Sequence, residues 1–170
     1  MMISKAVEHM SKINKIEGKH RKRKINDEYG TPITDVKPLH SFNDAVKTFN
    51  VKPVFDYCAS DNNHICKKYF TKKDNALTKD WKWDGFCNFP YSKQYEFMEK
   101  AWKEHQKNNI ELLILAYSKT DTQWWADFVE NKAEVHFIKN RIKFLDKNGK
   151  LTANQAPYPS CWIIYRRKKQ

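Results

Sequence analysis

The sequence predicts an α/β fold: a sheet flanked by helices in one compact domain, with an antiparallel hairpin near the carboxyl end. Three observations carry this. In the earlier part of the chain, short apolar runs alternate with amphipathic stretches, the pattern of strands separated by helices. The run Ile110–Tyr117 is the most apolar in the chain and reads as a central strand buried on both faces. The last two apolar runs, Glu134–Ile138 and Cys161–Tyr165, have only a polar loop and a basic-apolar stretch between them. They therefore belong together as late strands.

Taken in order, residues 1–26 carry eight Lys/Arg against two Glu, concentrated in Lys19–Lys24. Such a run repels itself and lacks core residues, so it is set apart as a basic arm ahead of a domain spanning 27–165. A second basic run, 166–170, follows as a tail. Pro38–Phe42 opens a helix whose Leu39, Phe42, Val46 and Phe49 recur at helical spacing. Val54–Cys58 is a first strand, ending in Asp56 and then small residues, Cys58, Ala59 and Ser60. Residues 61–73 are polar, and 74–81 read as a short strand end and a loop. Asp84–Cys87 is a buried strand. Ser92 is placed to cap a helix bearing Tyr95, Met98, Trp102 and His105. Thr120 with Gln123 suggests a capping box for a helix carrying Trp124, Trp125, Phe128 and Val129.

Net charge is +12, from 32 Lys+Arg against 20 Asp+Glu, which favours a polyanionic partner. No apolar run approaches the roughly 20 residues that cross a bilayer. Met1–Lys24 lacks the apolar segment of a secretory leader, so a cytoplasmic location is expected. Cys58, Cys66, Cys87 and Cys161 are scattered, which suits reduced thiols. Cys58, His64 and Cys66 match no common zinc spacing, and no metal site is expected.

The chemistry concentrates in Asn88-Phe89-Pro90-Tyr91-Ser92, placed between a strand and a helix. In α/β sheets, ligands bind outside the carboxyl ends of strands. The Asn88 side-chain oxygen and the Phe89 carbonyl can both accept from one amino group. Pro90 stiffens the turn, and the Tyr91 ring offers a flat face for a nucleobase taken out of its stack.

Several stretches then match one family in order. "EYGTP", "FDYCAS", "YFTKKDNAL" with "DW", "NFPYS", "LAYSKTDTQWW", "FIKNRIKF" and "APYPS" resemble the successive blocks of the phage-type DNA N-6-adenine methyltransferases (Dam). The likeness covers about Asp27 to Tyr165 and implies a Rossmann-like methyltransferase sheet. It implies methyl transfer from S-adenosylmethionine to the exocyclic amine of adenine in double-stranded DNA. Asn88, Phe89, Pro90 and Tyr91 would form the catalytic motif. Thr31, Pro32, Asp56, Cys58, Asp74 and Asn88 would cradle the cofactor. Arg141 and Lys143, with Arg21, Lys22 and Arg23 of the arm, would meet DNA. The chain departs from the family pattern at Phe89, which replaces the motif's first proline, and at Asn75-Ala76 and Asn140, which stand where glycines are usual. Two alternatives remain beside this reading. One is a non-catalytic DNA-binding protein on a degenerate methyltransferase scaffold. The other is an amino-methyltransferase acting on RNA or cytosine.

Overall fold

A computed structural model describes residues 29–35 and 37–168. The expected basic arm, with Arg21, Lys22 and Arg23, lies outside the described residues. Helix α1 is Phe42–Phe49, started by Ser41, whose hydroxyl accepts from the Asp44 amide. It buries Phe42, Ala45 and Phe49. Leu39, which periodicity put on this helix, precedes the cap at a left-handed φ of 62°. Its carbonyl accepts from Trp162 Nε1 at 2.8 Å.

The strands are β1 (Phe55–Asp56), β2 (Lys68–Tyr69), β3 (Gly85–Cys87), β4 (Leu112–Tyr117), β5 (Glu134–Phe137) and β6 (Ser160–Tyr165). Helix α2 (Gln94–Asn108) joins β3 to β4, and α3 (Gln123–Phe128) lies between β4 and β5. One six-stranded sheet results, in the order β2-β1-β3-β4-β6-β5. β2, β1, β3 and β4 run parallel, and β6 is antiparallel to both β4 and β5. The late hairpin is thus present, with β6 inserted between β4 and the edge strand. β2 lies inside the stretch that looked merely polar.

Side chains alternate across a sheet, so register assigns each residue a face. Leu113 pairs with Phe86 and Ile164, and Phe86 pairs with Asp56. These share the α1 face, where the Phe42 ring meets Phe86 edge-on at 5.1 Å. Gly85, Cys87, Leu112 and Tyr165 take the other face, and the Tyr165 ring lies 5.3 Å from Trp102 of α2. Gly85 has to be a glycine for a packing reason. A Cβ there would sit 2.3 Å from the Tyr57 ring, which is itself stacked on Trp81 at 4.1 Å.

Three local expectations change. The buried stripe of α2 is Gln94, Phe97, Met98, Ala101, Glu104 and His105, while Tyr95 is 42% exposed. The stripe is rotated towards Phe97, whose ring stacks on Phe89, and Ala101. Ser92 lies in a 3₁₀ turn, Tyr91–Lys93, that runs straight into α2, so Ser92 is not its cap. The α3 cap is Thr122 rather than Thr120, and its hydroxyl turns back to donate to the Lys119 carbonyl at 2.7 Å. Of the segment set apart as a basic tail, the described residues 166–168 contact the domain. Arg166 Nε donates to Glu134 at 2.7 Å, Arg167 pairs with Asp84, and the Lys168 amide donates to Asn109 Oδ1 at 2.8 Å.

Candidate active site at the carboxyl edge of the sheet

The chain leaves β1 for β2 on one side and later returns to β3 on the other. In open α/β sheets, ligands bind outside the carboxyl ends of the strands at such a reversal, here the ends of β1 and β3. Asp56 and Phe86 are paired in register, so Cys58 and Asn88 emerge side by side at this edge. Parity sends Asn88 to the α1 face with Asp56, and Phe89 to the α2 face.

Asn88 is 9% exposed and fully engaged. Its Nδ2 donates to Thr31 Oγ1 at 2.9 Å and to the Tyr29 carbonyl at 3.2 Å. Its Oδ1 accepts from the Tyr91 hydroxyl at 2.9 Å. A main-chain carbonyl can only accept, so the Tyr29 contact fixes which end of the amide faces which way. Tyr91 is 5% exposed, and burial pushes its phenol well above the usual range, so it stays a donor. Its ring stacks on Tyr117 at 3.8 Å and lies 5.8 Å from Phe144. Phe89, the departure from the proline pattern, is 2% exposed and stacks on Phe97 of α2 at 5.6 Å. Its ring therefore fills the helix layer and not the target side.

The residues expected around the cofactor are placed unevenly. Asp56 spends both oxygens on the turn after its strand: Oδ1 accepts from the Cys58 amide at 3.2 Å and Oδ2 from the Ile65 amide at 3.1 Å. Burial raises its carboxyl to about 6. Asp56 thus shapes the loop instead of facing outward. Cys58 Sγ lies 3.1 Å from Cys87 Sγ, both thiols being free. Asp74 is exposed beyond β2, where its Oδ2 accepts from the Thr71 amide and hydroxyl, each at 2.8 Å. Those bonds hold its carboxyl below the usual range. Thr31 is 4% exposed and serves Asn88, and the Pro32 carbonyl accepts from the Phe42 amide at 2.8 Å, at the start of α1. Among the described residues, no group of three or more His, Cys, Asp or Glu could hold a metal ion.

Arg141 and Lys143 are exposed and alternate with the buried Ile142 and Phe144. This strap pairs with the chain start, Gly30 and Leu145 exchanging amide–carbonyl bonds at 2.9 and 2.8 Å. Tyr29 stacks on Phe144 at 5.4 Å. Tyr29, Tyr117 and Phe144 therefore cover Asn88 and Tyr91, and sequence reasoning singled out none of them for the site. The available signal was that Tyr29, Tyr117 and Phe144 each fall inside a stretch that resembles a family block. The two asparagines in glycine positions have a backbone reason: Asn75 and Asn140 hold φ of 54° and 66°, the left-handed region that asparagine tolerates best after glycine.

A mixed sheet with a parallel half and a switch point, a β1 turn tied down by its own acid, and an amide oriented at the next strand end together define a methyltransferase-like α/β fold. A sequence model of the DNA N-6-adenine-methyltransferase (Dam) family matches residues 19–170, and the chain belongs to that family. It is 29% identical over 134 residues to the DNA N-6-adenine-methyltransferase of Haemophilus phage HP1, covering 77% of each chain. It is 31% identical over 87 residues to the protein of that name from Escherichia phage T1, covering 49% of this chain and 36% of that one.

Proposed function

We propose that the protein transfers a methyl group from S-adenosylmethionine to the exocyclic amine of adenine in double-stranded DNA. The observation that carries this is the oriented Asn88 amide. Its nitrogen is held on Tyr29 and Thr31, so its oxygen is the end presented where a target amine would lie. The Tyr91 hydroxyl now donates to that oxygen, and a purine amine would take over the same acceptor.

The donor set at the edge fits the cofactor. Asp74 offers an exposed carboxylate to an adenine amine, and the Cys58-Ala59-Ser60 turn lets a ligand approach the backbone. Asp56 fixes that turn, and Thr31 and Pro32 form the adjoining wall. The cofactor, when bound, supplies an already activated methyl group, so positioning provides most of the rate. Asn88 and the Phe89 carbonyl accept from the target amine and favour its nucleophilic form. Pro90 holds those two acceptors together, and Tyr91 packs on the base. Entry of a base requires the Tyr29–Phe144 cover to part. Arg141 and Lys143 on the strap, with Arg21, Lys22 and Arg23, meet the DNA. A cytoplasmic site of action follows from that substrate, and among the described residues no helix is long and apolar enough to cross a membrane.

The test is incubation with labelled S-adenosylmethionine and duplex DNA, then digestion to nucleosides. Label in N6-methyldeoxyadenosine is expected. Label in a methylated cytosine, or in RNA alone, would overturn the assignment. A non-catalytic binder would show no thermal shift with the cofactor or its homocysteine product.

A further inference from the structure

A groove of roughly 740 Å³ opens at the same sheet edge, where the chain leaves β5 and returns to β6. Lys37, Asn140, Arg141, Asn154 and Gln155 line it, together with Ala156 and Pro157. Its two charged side chains are both cations, which suits a polyanion. Its walls are tied together. Arg141 Nη1 donates to the Pro157 carbonyl at 2.6 Å, and the Ala156 amide donates to the Ile142 carbonyl at 2.7 Å. Nε and Nη2 of Arg141, and the side-chain amides of Asn140, Asn154 and Gln155, have no hydrogen-bond partner among the described residues. All four residues are exposed.

This chemistry differs from that of the lysine-rich surface around it. Neutral amides add little to phosphate binding, which positions a protein without discriminating sequence. Amides and a guanidinium are the groups that recognise adenine and guanine edges in the major groove. The groove also lies near the target residue. Arg141 is three residues from Phe144, at most roughly 10 Å along an extended chain, and the Phe144 ring is 5.8 Å from Tyr91. A base pair rises about 3.4 Å along the duplex, so the groove lies within about five base pairs of a flipped adenine.

We infer that this groove reads the base pairs flanking the target adenine, with Asn154 and Gln155 using their amides and Arg141 its guanidinium. The inference rests on the proposed DNA adenine methylation and adds its sequence specificity. The experiment uses the full chain and a pool of duplexes with one central adenine in randomised flanks. Methylated positions are mapped for the wild type and for the Asn154→Ala/Gln155→Ala variant, and kcat/KM is measured on the preferred duplex and on single-substitution duplexes. The wild type is expected to prefer particular neighbours. The variant should lose that preference at one or two positions, the ratio of kcat/KM falling roughly tenfold. The salt dependence of DNA binding should stay unchanged. Identical ratios in the two proteins, a wild type indifferent to its neighbours, or a uniform loss on all sequences with a shallower salt slope would each overturn the inference. A wild type that forms no N6-methyladenine on any duplex overturns the proposed function itself and the groove's role with it.

Discussion

Asn88→Asp changes one atom type and leaves the shape intact, which makes it a sharp probe of the amide's orientation. Nδ2 donates to Thr31 Oγ1 and to the Tyr29 carbonyl at a position that is 9% exposed. A carboxylate oxygen there has no proton to give. The Thr31 hydroxyl can turn and donate, recovering one bond, but the Tyr29 carbonyl is left facing a negative oxygen. An unsatisfied buried carbonyl costs about 1–3 kcal/mol. Adding the burial of the carboxylate gives a loss of about 2–4 kcal/mol above neutral pH. At about 2–4 °C per kcal/mol for a chain of this size, Tm should fall by about 5–15 °C at pH 8. Burial raises the new acid's folded pKa above its unfolded one, so the cost is small below the unfolded pKa and complete once pH passes the folded pKa. The gap between wild type and variant must therefore widen from pH 4 to pH 8 in thermal unfolding followed by circular dichroism. A gap under about 2 °C at pH 8, or one that narrows with rising pH, would refute the orientation.

Three further outcomes are expected. Tyr91→Phe removes the hydroxyl that occupies the Asn88 oxygen but keeps the ring, so kcat/KM on DNA should stay within about tenfold of wild type, whereas Tyr91→Ala should lose about a hundredfold or more. Asp56 has its carboxyl raised to about 6 from the ordinary 3.8. A raised acid loses stabilisation as pH climbs between those values, about 3 kcal/mol in all. The stability of wild type relative to Asp56→Asn should therefore fall from pH 4 to pH 7, as denaturant titrations at the two ends would show. Gly85→Ala drives a methyl group to 2.3 Å from a Tyr57 ring already held by Trp81 and by its hydrogen bond to the Trp83 carbonyl. A cost of about 1–3 kcal/mol is expected in the same titrations.

What was visible in the chain beforehand follows the range of the forces involved. The Asn88 turn could be placed at a strand end because apolar run, proline and helix lie consecutively in sequence. The buried β4 was plain from composition alone. β2 was not, because two residues of an edge strand, one exposed and one half-buried, leave no apolar pattern. The cap of α3 moved to Thr122 because a six-residue helix is set by what Trp124 and Trp125 bury against, more than by its start signal. Asp56 was marked for its acidity, but its two neighbouring amides lie two and nine residues on, and the second is brought back only by the crossover. Tyr29, Tyr117 and Phe144 come to Tyr91 from three distant segments, so no local spacing announces them. Asn75 and Asn140 looked like losses of glycine; the left-handed backbone at both shows that the turns they serve are retained.

Methyl transfer by Asn88→Ala beside wild type, on preparations whose S-adenosylmethionine affinity has been measured by calorimetry, bears most directly on the account. Cofactor affinity should stay within a few-fold, while formation of N6-methyladenine should drop by about a hundredfold or more, as expected for a group that acts mainly in the transition state. Equal rates in the two proteins would contradict it.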